Sequence, residues 1–363
     1  MKLIAIPILS LLTAVGAVIA QPPPVQPSPK PAAEADDSVG GNALSQNIRC
    51  VPRALNWFQK NQNTDGSWGD ANKGAMTGLV LLSFLSHGET PDSPAYGQSV
   101  TKAVNWIIEN GAKFDGRLNM AKQFNGHAAY EHGICTYALG EYYTMTKDER
   151  VLPVLKQAVA HIVAGQSEGG GWRYTYDKAA GDLCVSGWQI QALKSAQIAK
   201  LDIPGLDAAF DRAMKFVESV KGPSGGYGYQ EPGDRYGLTG VGIYCRLLGK
   251  TGRTELRNGM TWLLDETEKN KPVKYNGEAA DLYSWYFHNS ACLMYGGSAW
   301  QKWNRWFQDE IVNAQSADGS WPVPGAKGYG PQSDRGKTGQ IYRTALCTLM
   351  VPHLGRRMPI LQQ

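Results

Sequence analysis

The chain reads as an all-α protein of six helical hairpins arranged in two concentric layers. Three observations point there. A Gly- and aromatic-rich turn recurs six times at intervals of about fifty residues. The stretch before each turn sets apolar residues three and four apart with Lys, Arg, Glu and Gln between them, as a half-buried helix does. The stretch after each turn is apolar nearly all round, with Gly, Ala, Ser and Thr at close-packing positions. A helix without a polar face is covered on every side, so the second members form the inner layer.

Residues 1–20 carry one cation, Lys2, then an apolar core and small residues at Val18 and Ala20. This reads as a secretory signal peptide cleaved after Ala20, too short and too lightly flanked to argue for a spanning helix. Retention as an uncleaved anchor stays open. Residues 21–46 hold six prolines and almost no large apolar side chain. Such a stretch buries too little surface to offset its chain entropy, so a solvated tether is expected. Residues 47–357 form one repeat domain, and export to the periplasm or beyond is expected. The net charge of +4 is spread without runs, which excludes a nucleic-acid patch.

The hairpins follow in order. The first pairs helices over 51–58 and 76–85, the second over 100–109 and 128–142, the third over 151–163 and 184–198. The fourth pairs 208–220 with 238–248, the fifth 255–265 with 282–294, the sixth 299–312 with 341–351. The clearest turns contain Gln62, Gly66 and Trp68, then Gln166, Gly170 and Trp172, then Gln315, Gly319 and Trp321. A looser copy runs from Gly225 to Tyr229, and degenerate ones lie at Asp115-Gly116 and Tyr275-Asn276-Gly277. The glycine gives the turn its backbone freedom, the tryptophan seals the gap between hairpins, and the glutamine amide serves free backbone groups of a neighbouring helix. These are structural staples.

Six cysteines in an exported chain raise the question of disulfides. Cys135, Cys245, Cys292 and Cys347 recur at one point of successive apolar stretches, which marks a small buried residue and not a crosslink. Free, buried thiols are expected. A Cys50–Cys184 pair stays open.

The Gln, Asp-Gly-Ser-Trp turns resemble the QW motifs of the terpenoid cyclase and protein prenyltransferase superfamily, which includes the squalene cyclases. The resemblance spans about residues 48–355 and implies an α6–α6 toroid, a double ring of six helical hairpins enclosing a cavity. The stretches Gly170-Gly171-Trp172-Arg173-Tyr174 and Val185-Ser186-Gly187-Trp188-Gln189 resemble exported bacterial members without an assigned reaction.

The superfamily's chemistry is not legible here. No D-x-D-D proton donor and no D-D-x-x-D magnesium motif occurs, and Asp36 and Asp37 are the one adjacent aspartate pair. The segment around Asp281 resembles the Asp/Cys zinc helix of the prenyltransferases, but Leu282 and Tyr283 stand where the thiolate belongs. Arg343 stands where the resemblance places the zinc histidine, and a guanidinium cannot ligate zinc. No metal and no cofactor are expected. Gly222-Pro223-Ser224-Gly225-Gly226 spells G-x-S-x-G but lies between helices, without the strand a nucleophile elbow needs.

Polar groups do occur on the inner helices. Four residues before the recurrent cysteines stand Glu131, His288 and Arg343, with Tyr130, His132, Trp188, Asp281, Tyr283, Tyr286 and Tyr342 close by. One reading is a paired structural network, since burying such groups alone is costly. The other is an aromatic-lined central pocket with Glu131, His288 and Arg343 converging in it. The leading functional expectation is a toroid without catalytic motifs that holds a lipid, an isoprenoid, another amphipathic small molecule or a protein partner in its cavity. The alternative is a divergent cyclase- or transferase-like enzyme using Glu131, His288 and Arg343.

Overall fold

In the computed structural model, residues 41–325, 330–351 and 358–362 are described, with side chains from residue 49 onward. The signal peptide and residues 21–40 of the tether fall outside them. The outer helices are α1 (Gly41–Lys60), α3 (Gly97–Lys113), α5 (Leu152–Ala164), α7 (Leu206–Ser219), α9 (Arg253–Lys269) and α11 (Gly297–Asn313). The inner helices are α2 (Lys73–Ser86), α4 (Ala128–Thr146), α6 (Leu183–Ile198), α8 (Tyr236–Leu248), α10 (Leu282–Tyr295) and α12 (Lys337–Met350). Each even-numbered helix packs on the next, and α12 packs back onto α2, so the inner ring closes. On the outside α11 meets α1. The described residues contain isolated β-bridges but no named strand. None of their helices is long and apolar enough to cross a membrane.

The two layers differ as their sequences demand. In α2 every residue from Gly74 to Ser86 is buried. In α3 only one face is: Val100, Ala103, Val104 and Ile107 face inward while Lys102 and Glu109 do not.

The aromatic turns share one geometry. Trp68, Trp172 and Trp321 are fully buried, and each indole N–H donates to a carbonyl ten residues earlier, at Phe58, Ile162 and Ile311. Gln62, Gln166 and Gln315 each donate twice through the amide nitrogen. One bond goes to the turn's own glycine carbonyl, the other to Ser99, Ala209 or Cys50 on the next outer helix. The Gln315 bond to Cys50 joins the last hairpin to the first. Gly170 sits at φ +89°, and a Cβ there would strike the Arg212 carbonyl, so the turn requires glycine.

Both ends of the domain run past the expected boundaries of 47 and 357. Helix α1 starts at Gly41, taking in residues that composition assigned to the tether. At the other end a 3-10 turn, Pro359–Leu361, packs on α4 and α6, with Met358 and Ile360 buried. The Tyr137 hydroxyl approaches the Met358 sulfur at 3.7 Å, and the Ile360 N–H donates to Glu141 at 3.3 Å.

All six cysteines are free thiols. Five are buried, whereas Cys184 keeps part of its surface in contact with solvent.

Candidate functional site

The inner helices can be aligned on one repeated bond. In five of the six turns the backbone N–H at the aromatic position donates to a side chain on the inner helix that follows: Trp68 to Thr77, Leu118 to His132, Trp172 to Ser186, Tyr227 to Thr239 and Trp321 to Thr344. Counted from these acceptors, Cys135 and Cys347 lie three residues on, but Cys245 lies six on. Gly78 packs on Cys135 and Gly133 on Gln189, each three residues past its helix's acceptor, and Gly240 packs in the same way on His288. This places His288, not Cys292, level with Cys135 in the ring. The recurrent cysteines therefore do not mark one level, because Cys245 and Cys292 sit a turn deeper.

In the corrected register one layer contains Ala75, Tyr130, Cys184, Gly237, Tyr283 and Tyr342, one from each inner helix. All six helices run the same way, so this layer lies at their N-terminal end, where the positive ends of the helix dipoles meet. Its members converge across the ring. The Tyr283 hydroxyl donates to the Cys184 carbonyl at 2.9 Å, the hydroxyls of Tyr130 and Tyr283 flank the Cys184 thiol, and Tyr283 also senses Tyr342. One turn deeper lie Leu79, Ile134, Trp188, Val241, Phe287 and Leu346, all buried. Trp188 meets Phe287 edge-on at 5.5 Å and stacks on Tyr286 at 5.2 Å. The layers form a mouth of half-buried tyrosines and a thiol over an apolar floor, a funnel in outline.

The mouth residues themselves are neutral. Tyr130, Cys184, Tyr283 and Tyr342 all touch solvent, yet burial raises the pKa of each phenol and pushes the thiol up to about 12. A neutral thiol is neither a ready nucleophile nor a metal ligand. On one side stands a collar in which the Tyr174 and Tyr229 hydroxyls are 2.7 Å apart and Tyr174 packs against His127 at 4.9 Å and Tyr130 at 5.9 Å. Asp182 caps α6 by accepting the Val185 N–H at 2.8 Å. The carboxyl is buried beside the Tyr229 hydroxyl, and burial raises its pKa. Asp281 caps α10, accepting from the Tyr283 and Ser284 amides. Among the described residues, no three His, Cys, Asp or Glu side chains group as a metal site requires.

A family model described as a domain of unknown function, DUF6288, matches residues 49–234. The chain belongs to the DUF6288 family. No curated protein matches it. Among solved structures it is similar to a type II terpene cyclase, MstE, from Scytonema in complex with merosterolic acid A, at TM-score 0.59 and 14% identity over 85% of this chain and 97% of that one. It is equally similar in fold to a GH76A α-1,6-mannanase from Salegentibacter sp. HEL1_6, at TM-score 0.59 and 10% identity over 84% and 98% of the two chains. These likenesses establish the α/α toroid and say nothing of the chemistry.

The DUF6288 chain scatters the three charged residues that the sequence brought together. Glu131 lies between α4 and α2, where its carboxylate receives the Gly74 and Ala75 amides, and burial lifts it to about 7. His288 faces α8, its Nε2 bonded to the Tyr236 carbonyl at 2.9 Å, and burial lowers it to about 4. Arg343 turns outward to the carbonyls of Trp321, Gln332 and Asp334. They do not share a cavity, and each satisfies backbone groups in its own seam. His132 does likewise, accepting the Leu118 N–H and reaching the Ala158 carbonyl, held neutral by burial. Trp188 and Tyr286 form floor and filling, Tyr286 donating to Gln191 at 2.9 Å. Of the expected pocket residues, Tyr130, Tyr283 and Tyr342 line the mouth, with Asp281 at its rim. Sequence reasoning missed Cys184, Tyr174, Tyr229 and Asp182. Counting from Ser186 and Thr344 in place of the cysteines would have put Cys184 level with Tyr342.

Proposed function

We propose that this DUF6288 protein is an exported toroid of the QW-repeat type, related in architecture to terpenoid cyclases and prenyltransferases, that binds a small molecule in the funnel at the N-terminal end of its inner ring. One observation carries the reading: four inner helices hold Tyr130, Cys184, Tyr283 and Tyr342 half-buried at one level, over a layer sealed from solvent one turn below. A concave site with convergent polar groups is the usual composition of a ligand pocket. The ligand sits in the mouth and not in a deep central cavity, because Trp188, Tyr286 and Phe287 occupy the centre. Export rests on residues 1–20, and N-terminal sequencing of protein recovered outside the cytoplasm should begin near Gln21.

Native mass spectrometry of the purified protein tests the site. A small molecule should be retained by the parent chain and lost on Tyr342→Ala with little change in melting temperature. A variant that loses several degrees of stability while neither form carries a molecule would make the layer structural and overturn the reading.

Catalysis on that ligand is a second reading, favoured by Glu131. The residue is half-buried in the α4–α2 seam next to the mouth layer, and burial lifts its carboxyl to about 7, so it keeps its proton as a general acid requires. Turnover that survives Glu131→Gln would exclude it.

A further inference from the structure

We propose that the funnel and its collar bind a neutral, hydroxyl-rich ring, the end of an oligosaccharide, and not an isoprenoid. The inference rests on the reading of the mouth as a ligand site and names what enters it.

Depth comes first. An extended isoprenoid needs a deep apolar slot to cover its length. Here the slot is closed one turn below the mouth. Leu79, Val241, Phe287 and Leu346 have no solvent exposure, and Ile134 and Trp188 have 5% and 2%. Past them, the Tyr286 hydroxyl is spent on Gln191, and Tyr244 packs on Phe287 at 6.2 Å. Only a short, compact group fits above this floor.

Charge comes second. No lysine or arginine belongs to the mouth layer itself; Asp182 and Asp281 cap two of its helices, Arg235 caps a third, and Arg173 acts on Asp182 beside the collar. The layer itself gives a diphosphate or an acidic sugar no cation to pair with, and the arginines at its rim are matched by the capping aspartates.

Surface chemistry comes third. A pyranose presents apolar C–H faces and hydroxyl edges. The funnel matches both with the rings of Tyr130 and Tyr174 and the hydroxyls of Tyr130, Tyr174, Tyr229, Tyr283 and Tyr342. The Tyr174–Tyr229 hydroxyl pair is shared between two phenols that can each donate and accept, so it can turn to a sugar hydroxyl without leaving either phenol unpaired. Beside it the buried Asp182 carboxyl lies against the Tyr229 hydroxyl, and its charge is felt by Tyr130, Tyr229 and Tyr283, so it anchors the same network.

The test is saturation-transfer NMR on the exported chain with α-1,6-mannotriose, cellotriose and maltotriose, set beside native mass spectrometry with geranylgeraniol. At least one saccharide should bind. Tyr229→Phe and Tyr174→Phe, which keep the rings, should each weaken it about fivefold, the worth of one hydrogen bond. Circular dichroism and melting temperature should stay at the parent values. Saccharide binding unchanged in both variants would overturn the assignment to this collar. Binding of geranylgeraniol without any saccharide would overturn the sugar inference and leave the mouth as a ligand site. Binding of neither would overturn both.

Discussion

Glu141 shows how one buried side chain can give the fold a pH dependence. It is fully buried on α4, receives the Ile360 N–H on Oε2 and has no partner for Oε1. Burial raises its carboxyl from 4.5 to about 8. In the unfolded chain it ionises near 4.5, whereas in the folded chain it holds its proton, so the folded state binds more protons between these values. Its contribution to stability is present below about pH 4.5 and is lost as pH rises toward 8. His132 and His288 act oppositely, since both are held neutral and weaken the fold as pH falls below the unfolded histidine value. The Glu141→Gln variant isolates the carboxyl. Its stability relative to the parent should climb by about 1.4 kcal/mol per pH unit from pH 4.5 to 8 and level off above, read from urea unfolding at a series of pH values. A constant difference across that range would show that Glu141 is ionised in the folded protein.

The turn is the element that makes hairpins into a ring. Each of its glutamines joins its own glycine carbonyl to a carbonyl of the next outer helix, and Gln315 does so across the closure between α11 and α1. Gln315→Ala should cost about 2 kcal/mol by leaving two carbonyls unpaired. Its particular signature is local, because hydrogen exchange should quicken in α1 while α5 and α7 keep the parent protection. Uniform acceleration over all helices would mean that the closure is no weaker than any other seam. These turns were legible from sequence because they are local: a few contiguous residues carry the glycine, the indole and the amide. Helix types were legible for the same reason, since a one-sided apolar pattern in α3 and an all-round one in α2 declare their layers without reference to any neighbour.

For the whole molecule, the ring is stoppered at one end and open at the other. Met358 and Ile360 fill the end near Glu141 and Tyr137, while the helix N-termini frame the funnel. Deleting residues 358–363 should lower stability by about 3 kcal/mol, from two buried apolar side chains, while far-UV circular dichroism keeps its helical form and ligand retention at the mouth persists. Loss of retention would mean that the two ends are coupled through the packed centre.

What the sequence determined by itself was the set of hairpins, their division into inner and outer layers and the turns that link them, because periodicity and turn chemistry are written in neighbouring residues. What tertiary structure decided was the axial register of the inner helices, and with it the site. A helix that is apolar all round can slide by a turn without changing which of its faces are apolar, so nothing in its own sequence says which residue lies beside which across the ring. The cysteines suggested one register and placed Glu141's neighbour Tyr137 nowhere, while bringing Glu131, His288 and Arg343 together. The amide bonds to Thr77, His132, Ser186, Thr239 and Thr344 impose another, which sends those three charges into separate seams and sets Cys184 among the tyrosines. Those bonds join residues up to 23 positions apart through the packing of turn on helix, a relation that only the folded chain contains.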